Sequence, residues 1–356
     1  MTNKQASYEQ IIDSILKLFS DGQIQEALNS LNQLSKEYPN DSLLSNIRGA
    51  CYAALGKFDL AIKSYNTSIE LNPEYADAFY NLGNTYKEVN QLKDAIKAYK
   101  KTLAIDSNYI TANFNLAVTL HEMNEFYEAC DYYEQLLDID PNNIDARTNL
   151  GNIYQNLEQF EDAIYQYEKV LDIDPESHEA FNNLGTVHRE MGQSQKAIIY
   201  YKEAIKINPQ FSGAYYNLGF TFQDLGYVEE AINQYERAIA INNHTWSHHN
   251  LSYLKKYKIN DPQIEKMKSL LANNNLNRLD LIHLNLALAR VYENLDIQDE
   301  FFKHLNIGNS LRKEELDYSI DQSIENHSMI KEIFQSPIPS ISYPKSKNLS
   351  GKKPIF

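Results

Sequence analysis

A fixed spacing of 34 residues dominates this sequence. Six alanines recur at that spacing, and each is followed four residues later by a tyrosine: Ala61, Ala95, Ala129, Ala163, Ala197 and Ala231, with Tyr65, Tyr99, Tyr133, Tyr167, Tyr201 and Tyr235. A stack of equivalent helix pairs needs one small residue per unit so that neighbouring helices can approach, whereas a compact enzyme core has no need of such regularity. The chain is therefore predicted to be a repeat array.

Other landmarks of each unit recur at the same spacing. A Leu-Gly pair precedes the alanine at Leu82-Gly83, Leu150-Gly151, Leu184-Gly185 and Leu218-Gly219, with Leu116-Ala117 as a variant. A proline follows the alanine at Pro39, Pro73, Pro141, Pro175 and Pro209. This pattern resembles the tetratricopeptide repeat, and the resemblance implies an all-α fold, a right-handed superhelical solenoid of helix pairs.

The spacing defines seven units, at 8–41, 42–75, 76–109, 110–143, 144–177, 178–211 and 212–245. Within a unit, apolar residues three and four apart predict two helices, for example at 76–89 and 92–105. Glycine or asparagine supplies the turn between them, at Gly22, Gly56, Asn90, Asn124, Gly192 and Gly226. Residues 1–7, before the first unit, are predicted to be disordered.

The repeat pattern stops at residue 245. Residues 246–335 are predicted to form an irregular helical cap with a repeat-like hairpin at 278–313 and a last helix at 316–335, because terminal units of a repeat array are atypical. Residues 336–356 contain four prolines and four lysines and no acidic residue. This composition predicts an extended, basic linker.

Composition narrows the classes of partner. The net charge of −15 argues against a nucleic-acid partner, because affinity for phosphate requires clustered lysine and arginine. No apolar run approaches the ~18 residues of a membrane-spanning helix, and the first residues lead into no signal segment, so no membrane partner is expected. Cys51 and Cys130 belong to no CxxC pair and are predicted to be buried, reduced thiols. A cytoplasmic location is expected.

The sequence contains none of the common catalytic signatures, neither GxxxxGK[ST], GxGxxG, GxSxG nor HExxH. Among His244, His248 and His249, the first two are four residues apart and could share a helix face as metal ligands do, but no third ligand of the right type is nearby. We interpret them as a surface cluster at the start of a helix. No catalytic residue, metal or cofactor is predicted for this chain.

One asparagine per unit stands just before the Leu-Gly pair, at Asn81, Asn115, Asn149, Asn183 and Asn217. We call these five residues the asparagine column. In tetratricopeptide stacks, which the chain resembles, this face of the first helix lines a concave groove. An amide offers two donors and one acceptor, which suits the backbone of an extended peptide. The same residues also suit the packing of one repeat on the next, and the sequence leaves both roles open.

Residues beside the column complete the predicted peptide-binding groove: Tyr80, Asn84, Lys87, Phe114, Asn152, Arg189, Tyr216 and Phe220. The aromatic rings suit the side chains of an extended ligand. Acidic residues outnumber basic ones on the same helices, so the groove is predicted to be mildly acidic. A chaperone-adaptor clamp for a carboxylate terminus is disfavoured, because no lysine directly precedes a member of the column.

Two further resemblances concern function. The column is similar to the repeat arm of O-linked N-acetylglucosaminyltransferases, in which such a ladder holds the backbone of the protein substrate. The segment 282–312 resembles the helical hairpin of bacterial tetratricopeptide–sulfotransferase proteins, in which Lys-Pro-Ile-Phe later begins the first strand of the catalytic domain. This chain ends at Lys353-Pro354-Ile355-Phe356, and the resemblance implies that the catalytic half, with its loop for 3′-phosphoadenylyl sulfate, would follow.

Three functions therefore stay open. The chain is expected to be a protein–protein interaction scaffold that binds an extended peptide in its groove. The alternatives are the substrate-recruiting arm of an enzyme whose catalytic domain is absent from this chain, such as a covalently linked sulfotransferase domain, and a self-associating structural scaffold. In all three cases this chain alone is not expected to be an enzyme. The sequence indicates neither the ligand nor the oligomeric state.

Overall fold

The computed structural model describes residues 3–273 and 276–315, and every regular element in these ranges is an α-helix. This confirms the predicted all-α fold built from helix pairs. The chain divides into two compact units, one up to Tyr227 and one from Val228 onward. No helix in the described ranges is both long enough and apolar enough to cross a membrane.

Thirteen helices form the described part of the first unit. In chain order they are α1 (Asn3–Ser20), α2 (Ile24–Glu37), α3 (Ser42–Ala54), α4 (Phe58–Leu71), α5 (Ala76–Glu88), α6 (Leu92–Ile105), α7 (Ile110–Glu122), α8 (Phe126–Ile139), α9 (Ile144–Asn156), α10 (Phe160–Ile173), α11 (His178–Glu190), α12 (Ser194–Ile207) and α13 (Ser212–Asp224). We call the odd-numbered helices A helices and the even-numbered ones B helices. Helix α1 begins at Asn3, inside the segment 1–7 for which the sequence predicts disorder.

The turns between paired helices use a left-handed backbone conformation. The φ angle is 68° at Gly56, 59° at Asn90 and 61° at Asn124, as the glycine and asparagine pattern predicts. Glu158 occupies the same position in its repeat with a φ of 59°, although a glutamate side chain disfavours this conformation. The sequence did not predict this strained residue.

The Leu-Gly pair and the Ala-x-x-x-Tyr element are parts of one packing arrangement. Tyr99 of α6 is fully buried, and its ring lies on Gly83 of α5. A Cβ atom at Gly83 would lie 2.6 Å from the Tyr99 Cε1 atom, and Gly151 has the same relation to Tyr167. The repeated glycine is therefore explained by the close approach of the A-helix backbone to the tyrosine ring of its own B helix.

Five helices form the described part of the second unit. They are α14 (Val228–Asn242), α15 (Thr245–Leu254), α16 (Pro262–Leu271), α17 (Arg278–Asn294) and α18 (Gln298–Glu315). Helix α17 is buried over most of its surface, and Leu284 and Leu288 share a core with Ile264 and Met267 of α16. The hairpin predicted at 278–313 corresponds to α17 and α18. The predicted last helix at 316–335 and the linker at 336–356 lie outside the described residues.

The prediction of a surface histidine cluster was wrong. His248 has 0% of its surface exposed, and His244 acts as the N-cap of α15 by accepting a hydrogen bond from the Ser247 N–H. These residues are covered because α15 packs against α17. This contact lies outside the repeat pattern, so the sequence offered no template for it.

Candidate peptide-binding surface

All thirteen residues predicted for the groove lie on A helices of the first unit. They are Asn81, Asn115, Asn149, Asn183, Asn217, Tyr80, Asn84, Lys87, Phe114, Asn152, Arg189, Tyr216 and Phe220, and each is partly buried. We call the side of α5, α7, α9, α11 and α13 that carries the asparagine column the A-helix face. Partial burial means that each side chain contacts its neighbours and retains some exposed surface.

Three members of the column hydrogen-bond across to the preceding A helix. The Nδ2 atoms donate in three pairs: Asn81 to Asn46 Oδ1 (3.1 Å), Asn115 to the Tyr80 hydroxyl (3.3 Å) and Asn217 to Asn182 Oδ1 (2.9 Å). In every pair the acceptor stands 35 residues earlier, which is one residue before the column position of the preceding repeat. These amides therefore tie successive repeats together.

Asn149 and Asn183 lack this bond. The residue 35 positions before Asn149 is Phe114, whose ring has no acceptor atom, and the one before Asn183 is Thr148. Asn183 accepts a long hydrogen bond, 3.4 Å, from the Asn182 amide beside it. In the described ranges, neither Asn149 Nδ2 nor Asn183 Nδ2 donates to the preceding A helix, and the Asn149 amide lies beside the Tyr133 hydroxyl, whose pKa it lowers. The two central members of the column thus keep their amide donors available.

A second set of hydrogen bonds joins buried tyrosines of two repeats to their own A helices. The Tyr99 hydroxyl donates to Asn84 Oδ1 (2.8 Å), which also accepts from Asn115 Nδ2 (3.0 Å). The Tyr167 hydroxyl donates to Asn152 Oδ1 (2.7 Å). Asn84 and Asn152 stand three residues after the column, so this position satisfies the hydroxyl of the packed tyrosine.

The repeat at 110–143 departs from this arrangement. Val118 stands where α5 has Asn84, and Ala117 replaces the repeated glycine. Tyr133 is 0% exposed, and its hydroxyl has no hydrogen-bond partner among the described residues. Burial raises the pKa of Tyr133, and the nearby amide of Asn149 acts in the opposite direction. The groups left without repeat partners, Asn149 and Tyr133, are therefore neighbours.

The two basic residues predicted for the groove are already in ion pairs. Lys87 Nζ lies 3.0 Å from Glu122 on the next A helix. Arg189 lies 3.6 Å from Glu190, and its guanidinium carbon is 4.9 Å from the centre of the Phe220 ring. Because both cations have acidic partners, the A-helix face offers little free positive charge to a ligand.

Sequence reasoning missed Asn46 and the buried tyrosines as parts of this surface. Asn46 stands one residue ahead of the column position, so a search for asparagine at a 34-residue spacing overlooks it. The offset of 35 residues between donor and acceptor would have found Asn46 and Asn182 together. The link from Tyr99 to Asn84 spans 15 residues and follows only from the packing of the two helices.

In the described part of the chain, no three His, Cys, Asp or Glu side chains are grouped closely enough to hold a metal ion. Cys51 and Cys130 are buried free thiols, as predicted. Burial raises the pKa of each thiol to about 11, so both are protonated near neutral pH and are poor nucleophiles.

Family models of the tetratricopeptide repeat match one continuous part of the chain. A TPR repeat model matches residues 49–90, and tetratricopeptide repeat models match residues 76–109, 108–176, 144–210 and 200–240. Together they extend over residues 49–240, which is more than half of the sequence. A search of curated proteins found no match.

Solved structures with a similar fold include the C-terminal part of a TPR repeat-containing protein from Cytophaga hutchinsonii, with a TM-score of 0.57 and 18% identity over 65% of this chain and 95% of that chain. YrrB, described as a TPR protein with an unusual peptide-binding site, has a TM-score of 0.48 and 22% identity over 52% of this chain and 95% of its own. MamA has a TM-score of 0.44 and 26% identity over 46% and 95%. The likeness to the Cytophaga protein supports a shared fold.

Proposed function

The chain belongs to the tetratricopeptide repeat family, and from this premise we propose that it is a protein-interaction scaffold that binds an extended peptide segment on its A-helix face. Arrays of this kind use the surface formed by equivalent helices to bind partners. Asn149 and Asn183 hold the peptide backbone, and the flanking aromatic residues contact its side chains.

The available amide donors of Asn149 and Asn183 are the observation that supports this proposal most directly. Each amide offers two N–H donors and a carbonyl acceptor, and an extended peptide presents unpaired N–H and C=O groups along its length. A partly buried amide without a partner favours a ligand that completes its hydrogen bonds. Asn149 and Asn183 belong to consecutive repeats, so one extended segment reaches both.

The two roles that the sequence leaves open are divided between repeats in this proposal. Asn81, Asn115 and Asn217 donate to the preceding A helix, so they contribute mainly to stability. Asn149 and Asn183 make no such bond, so they contribute mainly to binding. The difference arises from one neighbouring position, which holds Tyr80 or Asn182 in some repeats and Phe114 in another.

The test uses a decapeptide selected by phage display on the complete chain. We expect the double variant Asn149→Ala with Asn183→Ala to bind this peptide roughly tenfold more weakly, since each hydrogen bond contributes about 1 kcal/mol. Its melting temperature should change little. The matched double variant Asn81→Ala with Asn115→Ala should instead lose melting temperature, because hydrogen bonds between repeats disappear.

Failure to select any peptide would contradict the proposal, as would an unchanged affinity of the variant at positions 149 and 183. Peptide affinity is measured by fluorescence anisotropy, and stability is followed by circular dichroism. If the chain elutes as a concentration-dependent oligomer that excludes the peptide, the self-associating scaffold becomes the better description.

A second candidate role is the substrate-recruiting arm of a sulfotransferase. The motivating segment, 282–312, forms most of the hairpin of α17 and α18, and residues 353–356 lie outside the described ranges. The experiment is sulfate transfer from 3′-phosphoadenylyl sulfate to the selected peptide, catalysed by the protein isolated from its natural source. Absence of donor binding by that protein would remove this candidate and leave the scaffold role unaffected.

A further inference from the structure

We propose that the A-helix face of α7, together with Asn149 on α9, determines which peptide binds. This surface receives an apolar side chain of a positively charged, extended segment. This inference rests on the proposed function and adds the chemical class of the partner. It depends on α7, whose A-helix face differs from that of α5 and α9.

The A-helix face of α7 carries apolar side chains at two positions that flank the column. Phe114 and Val118 stand four residues apart and therefore lie on the same side of the helix, one turn from each other. The corresponding pairs on neighbouring A helices contain polar atoms: Tyr80 with Asn84, Thr148 with Asn152, and Asn182 with Thr186. Phe114 and Val118 are partly buried, so their remaining exposed surface forms an apolar contact site.

These substitutions leave two polar groups without partners at the same place. Asn149 lacks an acceptor on the preceding A helix because Phe114 replaces a polar residue, and Tyr133 lacks a partner because Val118 replaces asparagine. The Tyr133 hydroxyl is completely buried, and Val118 holds the repeat position at which Asn84 accepts from the Tyr99 hydroxyl. An unmade hydrogen bond of a buried hydroxyl is unfavourable. This repeat therefore retains a destabilising feature in the middle of the proposed binding surface.

A bound peptide relieves this feature through Asn149. A carbonyl of the peptide backbone accepts a hydrogen bond from Asn149 Nδ2, and Asn149 Oδ1 is then held so that it accepts from the Tyr133 hydroxyl. Each donor keeps its hydrogen, so no proton is transferred. The peptide side chain next to that carbonyl covers Phe114 and Val118, and it is apolar because those two side chains offer it no hydrogen bond.

The charge of the surface selects the charge of the peptide. Asp145 and Glu179 stand four residues before Asn149 and Asn183, which places them on the same helix faces. Neither acid forms an ion pair with lysine or arginine in the described ranges, and Glu179 lies 3.0 Å from the His178 imidazole. The two cations of this surface are already paired with other acids. Complementary charge therefore favours lysine and arginine beside the apolar residue of the peptide.

The experiment uses the complete chain and three fluorescein-labelled decapeptides of lysine, serine and glycine. The first carries leucine at its centre, the second carries serine there, and the third keeps the leucine but has glutamate in place of every lysine. We expect the first to bind tightest and each of the others to bind about tenfold more weakly or worse, since burying a leucine side chain is worth about 1.5–3 kcal/mol.

Two variants convert α7 to the form of its neighbours. Phe114→Tyr gives Asn149 an acceptor like the one that Tyr80 gives Asn115, so affinity for the leucine peptide should fall about fivefold while the melting temperature is kept or rises. Val118→Asn gives Tyr133 a partner, so the melting temperature should rise and the preference for leucine over serine should disappear. Tyr165→Phe, on the exposed outer side of α10, is the control and should leave binding unchanged.

Equal affinity for the leucine and serine peptides would overturn this inference, and so would an undiminished preference for leucine in Val118→Asn. If all three peptides bind equally and the variant at positions 149 and 183 weakens all of them, the proposed function stands and only the inference about α7 fails. If the unmodified chain binds none of the three peptides, this inference fails, and binding of the selected decapeptide decides the proposed function.

Discussion

In the first unit the buried hydroxyls of Tyr99 and Tyr167 donate to asparagine side chains of the adjacent A helix, whereas in the second unit the buried His248 has neither ring nitrogen in a hydrogen bond among the described residues. Both units are built from packed helices. In a repeat array, the same hydrogen bond serves the equivalent buried group of more than one unit. Packing outside the repeats has no recurring partner of this kind, and in the second unit it leaves titratable histidines in the core.

The difference makes the second unit sensitive to acid. Burial is the largest cause that lowers the pKa of His248 and His283, each to about 4. Lys266 lowers the pKa of His248 further, together with His244. For His283, His249, Arg312 and His244 act in the same direction and the carboxylate of Asp280 in the opposite one. Burial raises the pKa of Tyr99 and Tyr167 in the first unit, so these two side chains stay neutral over the same range.

The largest expected effect is therefore acid unfolding of the second unit. A pKa below that of the unfolded chain, about 6.5 for histidine, means that unfolding takes up protons. Stability is complete above pH 6.5 and is lost as the pH falls toward 4, by on the order of 3 kcal/mol for each of His248 and His283. Trp246, the single tryptophan, lies on α15 with its ring 3.8 Å from His283, so its fluorescence reports on this region.

Urea unfolding followed by that fluorescence should shift to much lower urea between pH 7 and pH 4.5. The variant His248→Leu removes one titrating group and should reduce the shift by about half. An unfolding midpoint of the tryptophan signal that is the same at both pH values would show that these histidines are not buried in the neutral form.

An intermediate effect is expected from tyrosine variants that sharpen the contrast within the first unit. Tyr99→Phe removes a hydroxyl that donates to Asn84 and should lower the free energy of unfolding by about 1 kcal/mol. Tyr133→Phe removes a hydroxyl without a partner and should be neutral or stabilising. Chemical denaturation of both variants at neutral pH gives the comparison. Equal destabilisation by the two would mean that Tyr133 does have a partner.

The smallest expected effect concerns a turn in the first unit. Glu158 adopts a positive φ where other repeats have glycine or asparagine, so Glu158→Asn should raise the free energy of unfolding by roughly 0.5 kcal/mol. The same substitution at Glu161, in the first turn of α10, should bring no gain. A melting temperature that rises for both variants would attribute the effect to lost negative charge, and not to backbone strain.

Much of the fold was predictable because the signals for it are local and repeated. The helix predicted at 92–105 has those same bounds in α6, and Asn90 and Asn124 adopt the positive φ expected from their turn positions. The members of the predicted site share one helix face because residues three, four and seven apart do so in any α-helix. The burial of His248 was missed because it depends on a contact between α15 and α17 that is not part of the repeat pattern.

The sequence by itself therefore determined the helix pairs, their turns and the placement of the asparagine column, since each follows from short-range periodicity. Only the tertiary structure decided which amides are engaged. Asn81 and Asn149 look alike in the sequence, yet one donates to Asn46 and the other faces a repeat in which Phe114 has no acceptor. A hydrogen bond between separate helices depends on both partners and on the distance that packing sets between them. That distance cannot be read from either residue alone.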